Sequence, residues 1–387
     1  MTLSFIPSVP VQETWTFNTD VIKTRNGAES RLSLREFPRV SLDADFPVIT
    51  QTERSKFSQY LINNINAIEV IPIWPYLSKL TADASSGGSA ISFDVSRVPV
   101  VVGGKIAIVN DRTNDFQSYE VATVVSDGCT LTSVLTGDVT TAHYAILAMD
   151  SLIEGSGKNS IDTITQEYSM KFNSWVEPEL QRPGSAASLT TYDSLPVLDK
   201  RPLDGKTEQI GILKEIFDNE IGMRDLISPH LHPNIVNSMS FEVRRQTVPE
   251  DFDFWRLFFA TTRGGWKPFL HPTYMNDFNL TTPLVAAGTT IVAEENGFTD
   301  VLLGYEAFLR IEIEYSDKTI SRHNITNVSV GAELTLTISP ALPNDAKVSN
   351  VERISHLLKM RGADTVSLSH GSLSTTISFD AVTTDEG

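Results

Sequence analysis

The stretch FDFWRLFFATTRGGWKPFLHPTYMNDFNLT, residues 252–281, has the densest aromatic content of the chain. Four of its aromatic residues recur at helical spacing on one face: Phe252, Trp255, Phe258 and Phe259. Together with the stop signal Gly264-Gly265, they predict a helix over 250–262, followed by a short strand in WKPFLHP. Helical spacing favours the hydrophobic core for these rings over a sugar-stacking platform.

An earlier stretch, SKFSQYLINNINAIEVIPIWPYLSKLT at residues 55–81, has the same layout. It predicts a helix over 51–63 with Thr52 as its N-cap residue, then a buried strand over 67–75 that ends at prolines. The apolar face of this helix carries three side chains: Phe57, Tyr60 and Leu61. The chain therefore presents one helix-strand pattern twice.

Each helix-strand pattern is followed by short strands with frequent turn signals, first over 80–150 and again after Leu280. This spacing predicts a small antiparallel β-barrel or sandwich in each place. Ahead of the first helix, Asn26-Gly27 marks the turn of a β-hairpin that joins the strand around Trp15 to the strand around Leu34.

Several features recur in the same order in the two halves, which predicts a mainly β protein made of two tandem related units. Each unit combines a β-hairpin and a short helix with a small β-barrel or sandwich. We expect these parts: a first hairpin-helix unit at 1–79 plus 160–180, an inserted β-barrel or sandwich at 80–159, a linker at 181–208, a second hairpin-helix unit at 209–279, and a second β-barrel or sandwich at 280–387. A helical turn is also predicted over 353–359.

The composition excludes several classes of function. With 48 acidic and 31 basic residues, the formal net charge is −17, which lacks the basic footprint of nucleic-acid or anionic-membrane binding. The single cysteine, Cys129, excludes an internal disulfide and a thiolate zinc site. The opening MTLSFIPSVPVQETW lacks the features of a signal peptide, and no apolar run predicts a membrane helix, so we expect folding in reducing cytoplasm.

No catalytic or metal-binding motif stands out. His230, His232 and His271 lie beside prolines without HExxH or carboxylate spacing, so turn geometry is favoured over metal ligation. GSGKNS at 155–160 lacks the full phosphate-loop spacing, and there is no nucleophile elbow. We expect a protein that is not an enzyme, with no catalytic residues, no metal and no cofactor.

Arginines near the helices are the candidates for contacts between subunits, because a guanidinium binds a carboxylate through two parallel hydrogen bonds. Pairs within the chain are the alternative. The candidates are Arg35, Arg39, Arg244, Arg245, Arg256 and Arg263.

Three stretches together resemble a known family. WTFNTDVIKTRNGAESRLSLREFPR resembles the N-terminal signature of tailed-bacteriophage tail-tip proteins, and FWRLFFATTRGGWKPFLHPTYMNDF resembles the helix-loop of distal tail proteins and minor tail proteins. RGADTVSLSHGSLSTTISFDAV is similar to their closing strands. WKPFLHP departs from the glycine-Phe-Arg pattern of that family, and the β blocks are larger than a minimal distal tail protein needs.

The resemblance implies a structural protein of the virion tail tip or baseplate, made in the host bacterial cytoplasm. Family members form rings that connect the tail tube to the central hub and to tail fibres or receptor-binding proteins. Genome DNA would pass through the acidic lumen without specific binding, and no membrane insertion is implied. A duplicated chain would form a homo-oligomer of three copies or of six.

Two other classes of function are open at this point. A carbohydrate-binding adhesion protein could use the β blocks as lectin-like modules, and a cell-wall hydrolase could use a pair of carboxylates. The sequence nominates no particular pair of acids for hydrolysis.

Overall fold

The structure, a computed structural model, describes residues 6–8, 10–23, 29–48, 50–110, 116–160, 166–175, 188–203, 207–211, 215–217, 225–227, 234–242, 249–295, 297, 308–370 and 374–381. Within these residues the protein is mainly β, as predicted, with two α-helices among antiparallel sheets. No helix of the described part is long and apolar enough to cross a membrane.

The strands of the N-terminal half are β1 (Val11–Thr16), β2 (Thr19–Lys23), β3 (Glu29–Ser33), β4 (Arg39–Val48), β5 (Glu69–Lys79), β6 (Ala90–Ser92), β7 (Lys105–Asn110), β8 (Phe116–Val125), β9 (Gly128–Leu131), β10 (His143–Ser160) and β11 (Gln166–Ser174). Helix α1 (Gln51–Asn64) lies between β4 and β5.

The strands that follow are β12 (Thr191–Tyr192), β13 (Leu195–Pro196), β14 (Thr207–Gly211), β15 (Glu215–Phe217), β16 (Asp225–Ile227), β17 (Asn234–Glu242), β18 (Phe269–Pro272), β19 (Thr290–Ala293), β20 (Arg310–Tyr315), β21 (Ile320–Val330), β22 (Leu334–Ser339), β23 (Val351–Gly362), β24 (Thr365–His370) and β25 (Ser374–Ala381). Helix α2 (Pro249–Thr262) lies between β17 and β18, and a 3-10 turn spans Val348–Asn350.

Two large sheets hold most of these strands. The N-terminal sheet has the order β24-β1-β4-β11-β10-β7-β8-β9-β6, with β5 paired to β10. The C-terminal sheet has the order β14-β17-β25-β23-β20-β21-β22-β19, with β18 paired to β23. The seven strands from β4 to β6 in the first order can be matched one by one with the seven strands from β17 to β19 in the second. For example, β11 matches β25 and β10 matches β23. The hairpins β2–β3 and β15–β16 form separate two-stranded sheets, each just ahead of the strand that leads into a helix.

Local contacts at the start of the two β blocks also correspond. Leu80 forms an isolated antiparallel bridge with Phe93, and Leu280 forms one with Ala293. In the first block the Ser86 N–H donates to Asp138 Oδ1 (2.7 Å), and in the second the Ala286 N–H donates to Asp345 Oδ1 (2.6 Å). Equivalent turns therefore close both blocks with an acceptor from a distant aspartate.

The two helices share one hydrophobic core, and each β block has a core of its own. Of the aromatic residues predicted for the core from helical spacing, these are fully buried: Trp255, Phe258 and Phe259 from α2, and Phe57 and Tyr60 from α1. The side chain of the fourth predicted residue of α2, Phe252, lies outside the described part of the structure. The edge of the Trp15 ring contacts Phe259, with ring centroids 5.7 Å apart, so the core is continuous between the two halves. Burying such rings stabilises a fold by about 1.5–3 kcal/mol each before the entropy cost.

Helix α1 begins at Gln51, as the sequence predicts, but its N-cap residue differs from the predicted one. Its N-cap is Thr50 rather than Thr52: the Glu53 N–H donates to Thr50 Oγ1, and the Thr50 N–H donates to the Glu53 carboxylate. This reciprocal pair is a capping box, which satisfies two backbone donors where an N-cap side chain by itself satisfies one.

Three further expectations need correction. Residues 353–359 form part of strand β23 instead of a helical turn, because both faces of that strand are buried and its side chains therefore show no alternation of buried and exposed positions. Strand β5 runs through Pro72 and Pro75 to Lys79, because its prolines lie on a strand that, among the described strands, pairs with β10 alone. Trp15 lies in β1, which pairs with β4 and β24; the predicted hairpin contains only β2 and β3, and its Asn-Gly turn lies outside the described residues.

The predicted linker at 181–208 is described from 188 to 203, and there it packs on the C-terminal sheet. Val197 and Leu198 are fully buried, and Val197 forms a parallel bridge with Leu270 of β18. The Leu198 N–H donates to Leu270 O at 2.8 Å. Residues 188–203 therefore cover part of the C-terminal sheet, with their apolar side chains packed against it.

Candidate functional site

The junction between the two halves combines a β ladder with a cluster of polar side-chain contacts. It starts as a β ladder, in which β1 pairs antiparallel with β24 from Val11 opposite His370 to Thr16 opposite Thr365. Trp15, Val366 and Leu368 are buried on the core side of this ladder. A strand of the second half thus extends the sheet of the first half, so that the two halves share backbone hydrogen bonds.

Asp364 holds the turn between β23 and β24 against the first half. Its carboxylate accepts from Thr19 N–H (3.0 Å), Thr19 Oγ1 (2.8 Å) and Gly265 N–H (3.1 Å), and its backbone oxygen accepts from Phe17 N–H (2.8 Å). Hydrogen bonds to a charged acceptor are each worth about 1.5–3 kcal/mol. Asp364 therefore joins the end of α2 to the start of the β2–β3 hairpin.

Glycines at the end of α2 allow this close approach. Gly264 has φ +64°, in the left-handed region that follows many helices. A Cβ there would lie 3.0 Å from Asp364 Cα and 3.1 Å from Phe17 Cβ. The predicted glycine stop therefore also acts as a packing site for the other half of the chain.

Two arginines bind the carbonyls at this corner. Arg31 of β3 donates from Nη1 to Gly265 O at 2.9 Å. Arg361 of β23 donates to Gly265 O at 3.3 Å and also to Trp266 O. Guanidinium groups suit unpaired carbonyls at the end of a helix, because they carry several donors and a charge that the helix dipole favours. Neither arginine was nominated from sequence, since their partners are carbonyls remote in the chain.

A buried acid lies on the core side of the junction. Glu13, 1% exposed, accepts from Trp15 Nε1 (2.8 Å) and from the Tyr76 hydroxyl (2.5 Å). Arg256 of α2 lies over both rings, 5.0 Å from the centroid of Tyr76 and 6.0 Å from that of Trp15. An acid of the first half and an arginine of the second half thus meet around the same two rings.

A second polar cluster, the ionic face, lies on the C-terminal sheet beneath residues 188–203. Glu312, 1% exposed, pairs with Arg322 Nε (3.0 Å) and lies 3.7 Å from Arg353 Nη2. Arg353 also pairs with Glu314 (2.6 Å), and Arg322 with Asp199 (2.5 Å). Burial raises the pKa of the Glu312 carboxyl above its ordinary value, and the charge of Arg322 opposes that rise.

The ionic face holds its cover in place by charge. Arg310 donates to Asp193 Oδ2 from Nε (3.2 Å) and Nη2 (3.0 Å), and Asp193 belongs to the covering segment. Arg353 stacks on Tyr274, 4.7 Å from the ring centroid, and burial raises the pKa of the Tyr274 phenol. The arrangement is a set of ion pairs in which each of the three arginines binds an acid of the chain, which favours a structural role.

The predicted interface arginines have different places. Arg256 is 5% exposed in the chain interior, so its side chain contributes to packing within the chain. Arg263 lies 3.6 Å from Glu36 of the first half and 5.0 Å from the Trp266 ring, and Arg39 is exposed at the start of β4. Arg35 is half-buried just after β3, and Arg244 and Arg245 lie outside the described residues.

The histidines and the glycine-rich hexapeptide have structural environments where they are described. His271 is buried, with Nδ1 3.0 Å from Leu198 O, and His230 and His232 lie outside the described residues. GSGKNS at 155–160 lies in strand β10. In the described part of the chain, no group of three His, Cys, Asp or Glu side chains could hold a metal ion.

No protein-family model matches the chain, and no curated protein matches it.

Proposed function

We propose that the chain is a structural component of a tailed-bacteriophage tail tip or baseplate, in which copies form a ring between the tail tube and the central hub. The proposal includes the partners that the resemblance implies: tube protein, hub, and tail fibres or receptor-binding proteins. The formal charge of −17 favours a channel through which DNA slides without binding.

The observation that carries the proposal is the repeated order of elements in the two sheets. From β4 and from β17, strand order, helix position and the bridges at Leu80 and Leu280 correspond. We infer two tandem related units, each with a hairpin, a helix and a β block. Two related units in one chain favour a closed ring, because each copy then contributes two similar positions around an axis.

The junction supports the same proposal. It joins unlike surfaces of the two halves, with β24 of one on β1 of the other, so it is a head-to-tail contact. Head-to-tail contacts that repeat produce rings or filaments, whereas isologous contacts stop at a pair.

Native mass spectrometry and negative-stain microscopy of the purified chain at micromolar concentration test the proposal. We expect an assembly of three or six copies with a central channel. A stable monomer at that concentration would overturn it.

A further inference from the structure

The corner after α2 is covered from within the chain. We define the α2 corner as residues 263–266. Arg31 of the β2–β3 hairpin donates to its Gly265 carbonyl, Phe17 packs against Gly264, and Glu36 pairs with Arg263. The hairpin of the first half and its flanking residues therefore form the cover of this corner.

The corresponding corner after α1 presents apolar side chains to solvent. We define the α1 corner as residues 62–68, in which Ile62 is 78% exposed, Ile65 is 49% exposed and Ile68 is 46% exposed. Both helices have 14 residues, so counting from their first residues puts Ile65 at the position of Arg263. Three exposed isoleucines in seven residues form a patch typical of an interaction surface.

Two sheet edges, one in each half, also carry no further strand among the described residues. Strand β1 pairs with β4 on one side and with β24 on the other, whereas its counterpart β14 pairs with β17 alone among the described strands. The counterpart of β24 is the end of β10: from residue 152 to 160, its described partner is β11 alone. Residues 154–157 there are exposed, and two of them are glycines, which let another backbone approach closely.

We infer that a second copy of this chain binds here and repeats the junction between molecules. Strand β14 of one copy pairs with the end of β10 of the next, as β1 pairs with β24 within the chain. The β15–β16 hairpin of the first copy then covers the α1 corner of the next, as β2–β3 covers the α2 corner. The inference rests on the proposed ring and names the surfaces that close it.

A second copy fits these surfaces because the same kind of contact already exists within the chain. The counterparts of β14 and of the end of β10 are β1 and β24, which pair with each other. The counterpart of the α1 corner is the α2 corner, which the β2–β3 hairpin covers. An unpaired strand edge readily pairs with another strand, so two open edges of matching origin favour each other. The contact is head-to-tail, and its repetition closes a ring in which all junctions are similar.

The first test replaces the apolar patch with charge. We expect Ile62→Lys combined with Ile65→Lys to weaken association by about tenfold or more, because both side chains would be buried at the contact. Val102→Lys is the matched control, since Val102 is 66% exposed and lies in the first β block, outside residues 62–68. Circular dichroism and thermal unfolding of all variants check that the monomer fold is retained.

The second test traps the strand pair. Gln209→Cys in β14 is combined in one chain with Ser156→Cys, Gly157→Cys or Lys158→Cys in β10, so that three adjacent registers of the strand pair are tested. We expect oxidation to produce disulfide-linked oligomers on non-reducing gels for at least one pair. The native Cys129 is buried, so the single variant Gln209→Cys serves as the control.

The outcomes separate this inference from the proposed function. Oligomers that fall apart with Ile62→Lys and Ile65→Lys, persist with Val102→Lys and yield cross-links would support it. If the unmodified chain and the double variant both form rings, and no cysteine pair cross-links, the inference is wrong. The proposed ring would then still hold. A monomeric unmodified chain overturns both.

Discussion

The two large sheets have matching strand orders, but one of their faces carries apolar side chains in the N-terminal sheet and charged side chains in the C-terminal sheet. On the apolar face of the N-terminal sheet, Ala107 of β7 lies opposite Ser118 and Ile146. On the ionic face of the C-terminal sheet, Glu312 of β20 lies opposite Arg322 and Ser355. The apolar face is a cluster of buried residues: Ala107, Val109, Phe116, Ile146 and Ala148.

The difference shows that the same order of paired strands can carry either apolar or charged side chains on this face. An apolar filling is stabilised by the area removed from water and tolerates small changes of shape. An ionic filling requires every partner, because a buried charge without its counter-charge is costly. The two faces should therefore respond differently to mutation.

The largest effect is expected for Glu312→Ala. It leaves Arg322 and Arg353, with side chains 12% and 9% exposed, without a shared buried acid. We expect a loss of about 3–5 kcal/mol in the free energy of unfolding, measured by urea denaturation. Glu352→Ala, which removes an exposed partner of Lys318 on the same sheet, should leave stability close to that of the unmodified chain. Equal effects would contradict a special role for the ionic face.

The apolar face should respond to loss of volume. Ile146 is 3% exposed, so Ile146→Ala should lower the free energy of unfolding by about 2–5 kcal/mol through lost burial and a residual cavity. Ser355 occupies the corresponding register position, is fully buried, and its hydroxyl has no hydrogen-bond partner in the described structure. Ser355→Ala should therefore be neutral or slightly stabilising. A large loss in the free energy of unfolding for this variant would contradict the difference proposed between the two faces.

A smaller effect is expected at the N-terminus of α1, where two threonines can be compared. Thr50→Ala removes one half of the capping box on α1 and should cost about 1 kcal/mol. Thr52→Ala, two residues further on and exposed, should have little effect. If both variants lose the same stability, the cap assignment is wrong. Thermal unfolding followed by circular dichroism distinguishes the two.

The smallest effect is expected from pH, and it belongs to the C-terminal sheet. Burial lowers the pKa of His323 below 6.5, although its hydrogen bond to Pro340 O opposes the shift. Since the folded pKa lies below the unfolded one, this histidine's contribution is complete above pH 6.5 and is lost as pH falls through the window beneath.

A comparison of two chains isolates the contribution of His323 to the free energy of unfolding. Glu312, with its raised pKa, contributes with the opposite pH dependence: its contribution is present below pH 4.5 and is lost as pH rises through the folded pKa. Urea midpoints of the unmodified chain and of His323→Gln at pH 8 and pH 6 measure the difference. The unmodified chain should lose more stability between these two values, and parallel behaviour would refute the assignment.

Much of the local structure could be predicted from the sequence because its signals are short-range. Helical spacing of Phe57 and Tyr60, and of Trp255 and Phe258, correctly located both helices and their buried faces. The same reasoning failed for residues 353–359, where burial of both strand faces removed the alternation that identifies a strand.

The sequence alone determined the mainly β class, the two helices and the aromatic core, because these depend on residues within a few positions of one another. Only the tertiary structure decided the junction and the ionic face. Arg31 binds a carbonyl 234 positions away, and Asp364 binds Thr19 at a separation of 345. Hydrogen bonds to backbone carbonyls and amides leave no residue signature at the partner position, so pairing of this kind becomes visible only when the sheets bring distant segments together.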